Sequence, residues 1–241
     1  MNQTLLRRAG RIGLCMLALW PAAASATAYP AIPEPMVFDM MRPLGAERGE
    51  LEVNALALTA LSGADRPVDW APEIEYAFAD GFAIEFELPF VDGRLTDLKL
   101  GLQGAFGTLN DGRSAHGVQY LGIYNRETHG YTNTLAYMFG HRFSDRISTM
   151  SMIGIGDVQL GKSLGRGTLI LNQAVFWNAA EKSILGIEAN YRSGPERHLL
   201  LMPQLHQKIT TKFNVQLGLG IEMARHEPAR PKAGLRVIRE F

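Results

Sequence analysis

The chain has 241 residues, with 24 basic and 24 acidic side chains and one cysteine, Cys15. The balanced charge offers no basic excess for binding nucleic acid, and a single cysteine excludes a disulfide framework and a zinc-thiolate site. The length suits one large all-β domain.

Residues 1–28 are typical of a secretory signal peptide. A start with three arginines is followed by an apolar run, residues 12–20, and an Ala-rich cleavage region, residues 22–28. Cleavage after Ala26 and cleavage after Ala28 fit the small-x-small rule equally well. Either removes Cys15 and leaves 21 basic against 24 acidic residues, a formal charge of −3.

Residues 29–49 are rich in proline, methionine and glycine and show no period. We interpret them as a periplasmic N-terminal extension or a plug-like lead. The remaining residues, 50–241, alternate apolar and polar side chains in segment after segment. They predict twelve strands, at 50–61, 72–79, 82–90, 97–107, 115–125, 131–143, 146–156, 167–178, 183–192, 197–206, 212–222 and 233–241.

The clearest strand runs from Phe213 to Ile221, where every odd-numbered residue is apolar and the residues between them are Asn, Gln or Gly. Such a period of two marks a strand with one apolar and one polar face. Together with the export signal and the terminal Phe241, it predicts an all-β, antiparallel, up-and-down transmembrane barrel in a Gram-negative outer membrane. Pro89 and Pro203 are expected at bulges or near a rim, and otherwise ten strands become the better count.

The polar face of the clear strands is rich in charge and is expected to line the lumen. The lumen-lining candidates are Glu73, Glu75, Glu85, Glu87, Lys99, Gln103, Glu188, Asn190, Arg192, Asn214, Gln216, Glu222 and Arg236. They could form a pore lining that selects by charge, or pair across the lumen and close it.

Four of these glutamates, at 73, 75, 85 and 87, lie on adjacent strands of one predicted hairpin. Like charges placed opposite each other destabilise a sheet unless cations or partners intervene. Cation binding is one interpretation, and pairing with arginines such as Arg192 and Arg236 is the favoured one, because buried charges are tolerated mainly when paired.

The sequence predicts no catalytic, cofactor or metal residues. The six histidines are scattered over different strands and loops. The segment from Gly156 to Ser163 matches a phosphate-binding loop, but a β-pattern follows it where a helix is required. Hydrolysis stays open as an alternative through Ser114 with His116, or His141 with Ser144, although neither pair has a visible orienting residue.

Two stretches, residues 72–106 and Gln216 to Gly220, resemble outer-membrane transporter barrels associated with the meta-pathway of phenol degradation. The resemblance implies passive passage of small solutes, aromatic or hydrophobic ones among them, and no enzymatic activity. A lipid hydrolase and a sealed structural or interaction barrel are the alternatives. The expected partners are the solute, outer-membrane lipids and lipopolysaccharide, and the barrel-assembly machinery, which would read the C-terminal strand; nucleic acid is not expected.

Overall fold

The computed structural model describes residues 29–38, 40–159, 167–195 and 197–241. The predicted signal peptide, residues 1–28, lies outside this part of the chain. The described residues form no helix, and so none long and apolar enough to cross a lipid bilayer. Their regular structure is entirely β.

Fourteen strands follow one another along the described chain. They are β1 (Leu51–Ala60), β2 (Val68–Ala79), β3 (Phe82–Glu87), β4 (Phe90–Val91), β5 (Arg94–Leu95), β6 (Asp97–Leu109), β7 (Ser114–Asn125), β8 (Gly130–Arg142), β9 (Ile147–Val158), β10 (Thr168–Ala180), β11 (Ser183–Arg192), β12 (His198–Thr210), β13 (Phe213–Ala224) and β14 (Arg230–Glu240).

The fourteen strand segments close into a barrel whose wall has twelve antiparallel strands, which we call staves. Each long strand pairs with its neighbours in sequence, and β1 pairs with both β2 and β14, for example through Asn54 opposite Ile238. The short strand β4 continues β3, and the short strand β5 leads into β6. β3 with β4 therefore forms one stave, and β5 with β6 forms the next. The closed twelve-stranded antiparallel barrel that the sequence predicted is confirmed.

The strand bounds leave connections of two to four residues at one end of the barrel and mostly longer ones at the other end. We call the end with residues 80–81, 110–113, 143–146, 181–182 and 211–212 the turn end, and the opposite end the loop end. The gap between the predicted strands 82–90 and 97–107 is largely filled by β4 and β5, which leaves Asp92 and Gly93 as a two-residue turn. Both have positive φ, at 54° and 142°, which a tight hairpin turn demands and which glycine adopts readily.

The two prolines behave differently from each other. Pro89 lies in the break between β3 and β4, near the loop end, as expected. Pro203 lies in the middle of β12, where the ladder to β13 stops at Leu201 opposite Ile221 and resumes at Gln204 opposite Gly218 without a change of register. The prediction of a bulge or rim was therefore wrong for Pro203, and the barrel closes with twelve staves despite it.

Apolar and polar side chains separate cleanly across the barrel wall. On β3, Phe82, Ile84 and Phe86 are exposed on the outer face while Glu85 and Glu87 are buried inside. Leu219 on β13 is 68% exposed. A continuous exposed apolar face of this kind is rare on soluble monomers and matches the outward band of a membrane barrel.

Most of residues 29–38 and 40–49, which we call the N-terminal segment, lies inside the barrel, while residues 47–49 are exposed. One side of the segment packs in an apolar cluster against the inner face of β6 to β10. Its own members of the cluster are Ile32, Phe38, Met40 and Leu44, and the wall contributes Ala105, Ala115, Ala136, Met138, Met150, Met152, Ala174 and Phe176. The other side of the segment faces the charged wall described next.

Candidate functional site

The candidate site is the barrel lumen, whose remaining wall is polar and charged. All thirteen lumen-lining candidates lie on inward-facing positions: Glu73, Glu75, Glu85, Glu87, Lys99, Gln103, Glu188, Gln216 and Arg236 are buried, and Asn190, Arg192, Asn214 and Glu222 are half-buried. Strand alternation brings them there because every second side chain points to the same face. They do not form one cluster, and the charged ones divide among three places.

The largest group lies on β2, β3, β6 and β14, where the acidic hairpin meets two cations. The register sets Glu73 opposite Glu87 and Glu75 opposite Glu85. The guanidinium of Arg236 donates to Glu73 at 3.0 Å and lies 3.6 Å from Glu75. The predicted pairing of the hairpin with Arg236 is therefore confirmed.

Lys99 supplies the second cation of this group, which the sequence analysis placed in the lumen without naming its partners. Its ammonium forms an ion pair with Glu87 and lies 3.5 Å from Glu85. The carboxylate oxygens of Glu73, Glu85 and Glu87 lie within 4.8 Å of one another, a spacing that a metal ion could also bridge. The two protein cations already supply countercharge at this position.

Arg192 and Glu222 lie elsewhere, near the loop end. Arg192 pairs with Asp157, and Glu222 accepts a hydrogen bond from Lys232 at 3.0 Å. The prediction that Arg192 neutralises the acidic hairpin was therefore wrong. β11, which carries Arg192, is separated from β2 by several staves, and an alternating pattern does not fix which side chains meet across a lumen.

Glu188 on β11 binds the backbone of the N-terminal segment. Its carboxylate accepts hydrogen bonds from the N–H groups of Met36 and Val37 at 3.0 Å each and of Phe38 at 2.6 Å. The side-chain amides of Asn172 and Asn190 each donate to Glu188 Oε1 at 2.9 Å and orient the carboxylate. A carboxylate that collects three backbone N–H groups forms strong charge-assisted hydrogen bonds.

Four further contacts hold the segment in place. Arg42 forms ion pairs with Glu50 and Glu52, and its carbonyl accepts a hydrogen bond from Gln103 Nε2 at 2.7 Å. Arg236 donates to the carbonyl of Pro35 at 3.3 Å. The same arginine thus binds the acidic wall and the segment.

Burial perturbs the Glu34 carboxyl group, which the segment brings into the lumen. The pKa of Glu34 is raised to about 8, mainly because burial disfavours its charged form and because the Glu52 carboxylate lies nearby. Arg236 and Arg42 oppose this rise. Arg236 Nη2 lies 3.9 Å from Glu34 Oε2, a distance longer than a hydrogen bond.

Two cavities flank the segment. The larger, about 450 Å³, lies toward the turn end between the segment and the wall, and includes Glu34, Glu52 and Gln216. The smaller, about 110 Å³, lies toward the loop end and includes Met36, Lys99 and Arg236. The segment therefore divides the lumen into two compartments.

The hydrolase candidates are rearranged by the fold. Ser114 Oγ lies 2.7 Å from Nδ1 of His141 and accepts a hydrogen bond from Asn110 at 2.8 Å. His116 instead contacts the hydroxyl of Tyr137, and the Ser144 hydroxyl accepts from backbone N–H groups of its own turn. Neither pairing suggested by the sequence forms.

The new Ser114–His141 pair lacks what nucleophilic catalysis needs. Ser114 is fully buried, so a substrate carbonyl cannot reach its oxygen, and no carboxylate among the described residues orients the His141 ring. The residues from Gly161 to Gly165 also fit a Gly-x-Ser-x-Gly pattern, but they lie outside the described residues.

Sequence reasoning missed the segment's contribution to the lumen, namely Glu34 and Arg42, and the wall residue Glu52. A signal for Glu52 exists, because Glu52 and Asn54 alternate with Leu51, Val53 and Ala55 at the start of β1. For Glu34 and Arg42 there is none, since the segment has no period and its path depends on tertiary contacts.

Comparison with solved structures places the fold among outer-membrane channels. The chain is similar to an outer membrane channel from Pseudomonas putida F1, with 12% identity, a TM-score of 0.64 and coverage of 83% of this chain and 98% of that one. It is similar to the KdgM porin, with 10% identity, TM-score 0.63 and coverage of 79% and 99%. The NanC porin gives 9% identity, TM-score 0.62 and coverage of 79% and 100%. No protein-family model and no curated sequence matches the chain.

Proposed function

We propose that the protein is a passive channel of a Gram-negative outer membrane that admits small solutes. The observation that carries this proposal is a closed barrel with an apolar outer face and a charged lumen, in which a separate segment of chain occupies the passage. The resemblance to the channels of the phenol meta-pathway favours small aromatic or hydrophobic solutes. The similar folds of known outer-membrane channels support passage, at identities too low to transfer a substrate.

The outer face supports the membrane location. Ile74, Phe86, Leu100 and Leu217 are each between 44% and 49% exposed, at equivalent outward positions on different staves. In water this apolar belt would drive aggregation, whereas in a bilayer it meets lipid at no such cost. Lipopolysaccharide and phospholipid are its proposed neighbours, and cleavage of residues 1–28 would precede insertion.

The N-terminal segment closes the lumen through contacts that can be broken. Hydrogen bonds to Glu188 and Arg236 and the ion pairs of Arg42 fix it, and its peptide chain joins the wall where it continues into β1 at Leu51. Passage then requires the segment to shift, or solute to move between the two cavities beside it. On this view the turn end, which the segment enters, is periplasmic.

The C-terminal strand is the proposed contact with the assembly machinery. Phe241 is 60% exposed, and its backbone N–H donates to the Leu51 carbonyl at 3.0 Å, next to the seam where β14 meets β1. An exposed aromatic side chain at the end of the last strand is available to a partner before the seam closes.

The test measures conductance in planar bilayers and lipid hydrolysis on one preparation. Discrete conductance that rises when residues 29–49 are deleted, and changes when Glu85 and Glu87 become Gln, supports a channel closed by its segment. Lipid turnover that is lost in Ser114→Ala would support the hydrolase instead. A preparation that is silent in both assays, including after the deletion, would be a sealed barrel and would refute passage.

A further inference from the structure

The larger lumen cavity has the size and lining of a small-molecule site. Its volume of about 450 Å³ lies within the range of about 300–1,000 Å³ that such sites occupy. It is enclosed by the N-terminal segment on one side and by inward-facing residues of β1 and β10 to β14 on the other. A solute entering at the turn end would meet it before it reached the rest of the lumen.

Three polar atoms of the cavity lining are buried without a partner. His206 Nε2, Asn214 Oδ1 and Gln216 Oε1 make no hydrogen bond within the described part of the protein. His206 and Gln216 are only 3% and 2% exposed. Buried polar atoms are normally satisfied, and leaving one unpaired is costly. These side chains come from two adjacent strands and converge on one space.

The lining carries three carboxyl groups, of Glu34, Glu52 and Glu240, and one amine, of Lys208. Burial favours the neutral form of Glu34 in the empty cavity, and a cation placed beside it would favour the carboxylate, because a nearby opposite charge lowers a carboxyl pKa. Glu52 is already satisfied by Arg42 and Asn54. The Glu34 carboxylate is not satisfied in this way, because its ion pair with Arg236 is 3.9 Å long.

The rest of the lining is apolar. Pro30, Ile32 and Pro33 from the segment face Ile184 and Ile238 from the wall. Such a surface suits a hydrocarbon or aromatic body, while the acceptor atoms and the Glu34 carboxylate suit a donor group with positive charge. An anion would approach the carboxylates of Glu52 and Glu240 and would disfavour ionisation of Glu34, and a neutral hydrocarbon would leave the polar atoms unpaired.

We infer that this cavity binds a small organic cation, a protonated amine carried on an aliphatic or aromatic body. Its ammonium group donates to Glu34 and to the amide oxygens of Asn214 and Gln216, and its body packs between the prolines and the isoleucines. The inference rests on the proposed function in that it names a solute class for the same lumen. The binding site itself can be measured without passage.

The probes are phenethylamine, its neutral analogue 2-phenylethanol and the anion 3-phenylpropionate. Binding to the detergent-solubilised full mature chain is measured by isothermal titration and by saturation-transfer NMR. The amine should bind at least about tenfold more tightly than the alcohol, which corresponds to one charge-assisted hydrogen bond, and the acid should bind most weakly. Equal binding of amine and alcohol would overturn the inference.

Variants test whether the cavity is where the amine binds. Glu34→Gln should reduce the preference for amine over alcohol about tenfold, and Gln216→Leu should weaken the amine without touching the segment. Ile184→Trp fills the cavity and should abolish binding of both. The control Glu127→Gln changes an exposed carboxylate that pairs with Arg94 outside this cavity, and should have no effect.

The outcomes separate this inference from the channel proposal. Saturable, amine-selective binding that Ile184→Trp removes supports the site even if bilayers show no conductance. Conductance with no preference among the three probes would leave the channel intact and overturn the site. Because Glu34→Gln could alter segment docking, loss of binding in that variant counts only if Gln216→Leu weakens the amine as well; an unaffected Gln216→Leu variant would count against the inference.

Discussion

Replacing Glu188 by alanine should release the N-terminal segment. The carboxylate accepts three backbone N–H groups of the segment, from Met36, Val37 and Phe38. A hydrogen bond to a charged group contributes about 1.5–3 kcal/mol, and a buried N–H left without a partner costs about 1–3 kcal/mol. Gln204 retains one contact with Met36, because its Oε1 accepts from the same N–H at 3.1 Å.

These contributions bound the effect. Two N–H groups would lose their acceptor and a third would keep one, so docking should weaken by about 3–6 kcal/mol. Each 1.4 kcal/mol changes an equilibrium tenfold, so the ratio of docked to released segment should fall by roughly 10² to 10⁴. The same substitution also removes the acceptor of Asn172 and Asn190, which stay on the wall and can pair with each other, as they already do at 2.5 Å.

Two assays follow the released state. The mature chain should carry no thiol, so Met40→Cys, at a position that is fully buried beside the wall, reports release through its rate of labelling by a water-soluble maleimide. Open probability in planar bilayers reports the same event by conductance. Both should rise in Glu188→Ala and stay at the parent level in the control Glu222→Gln, whose ion pair with Lys232 does not involve the segment.

A barrel that folds normally but shows unchanged labelling and unchanged conductance in Glu188→Ala would refute the reasoning. It would mean that the apolar packing of Phe38 and Met40 holds the segment without help from the carboxylate. Heat-modifiable gel migration distinguishes this result from a variant that fails to assemble.

Three further predictions concern the wall, the last strand and pH. Leu217→Arg, on the outer face, should lower the stability of the barrel in the membrane by about 2–4 kcal/mol. It should therefore reduce the amount of heat-modifiable barrel more than Gln216→Arg on the inner face does, and the opposite ranking would reverse the assignment of inner and outer faces. Deleting Phe241 should lower the amount of assembled barrel without lowering export across the inner membrane, as measured by cell fractionation. Equal assembly of the parent and the truncated protein would show that the assembly machinery does not need Phe241. Burial and the negative charge of the nearby Glu52 raise the pKa of Glu34 from 4.5 to about 8. The docked segment therefore binds more protons between these values, so its stability falls as pH rises through this window. The labelling rate of Met40→Cys, divided at each pH by that of an exposed cysteine to remove the pH dependence of the thiolate itself, should be higher at pH 9 than at pH 5.

The strands could be predicted from sequence because a period of two survives wherever inner and outer faces differ in polarity. β3, β6 and β13 were located to within a few residues for this reason. In β1, β7 and β9 the alternation of apolar and polar residues is weak. The structure explains this for β7 and β9. Their inward residues, such as Ala115, Met150 and Met152, are apolar because they pack against the N-terminal segment.

The site was less predictable, since it depends on which side chains meet across the lumen. Alternation identified Glu85, Glu188 and Arg236 as inward residues, but it assigned Glu188 no partner. Its partners are backbone N–H groups of Met36 to Phe38, and nothing in a side-chain pattern reports a backbone group. The segment lacks any period, so neither its path nor its polar contacts could be derived from its sequence.

Closure of the lumen and its selectivity between cations and anions are coupled, because the segment that closes it carries charged side chains. When the segment leaves, it takes Glu34 and Arg42 with it, and Glu52 loses its cation. Among the described residues, the wall then retains six buried carboxylates, at positions 52, 73, 75, 85, 87 and 188, against two buried cations, Lys99 and Arg236. An excess of negative charge on one side of a narrow passage attracts cations and repels anions. The released state should therefore favour cations, and reversal potentials measured across a salt gradient in the segment deletion should shift toward the cation, whereas a shift toward the anion would contradict this account.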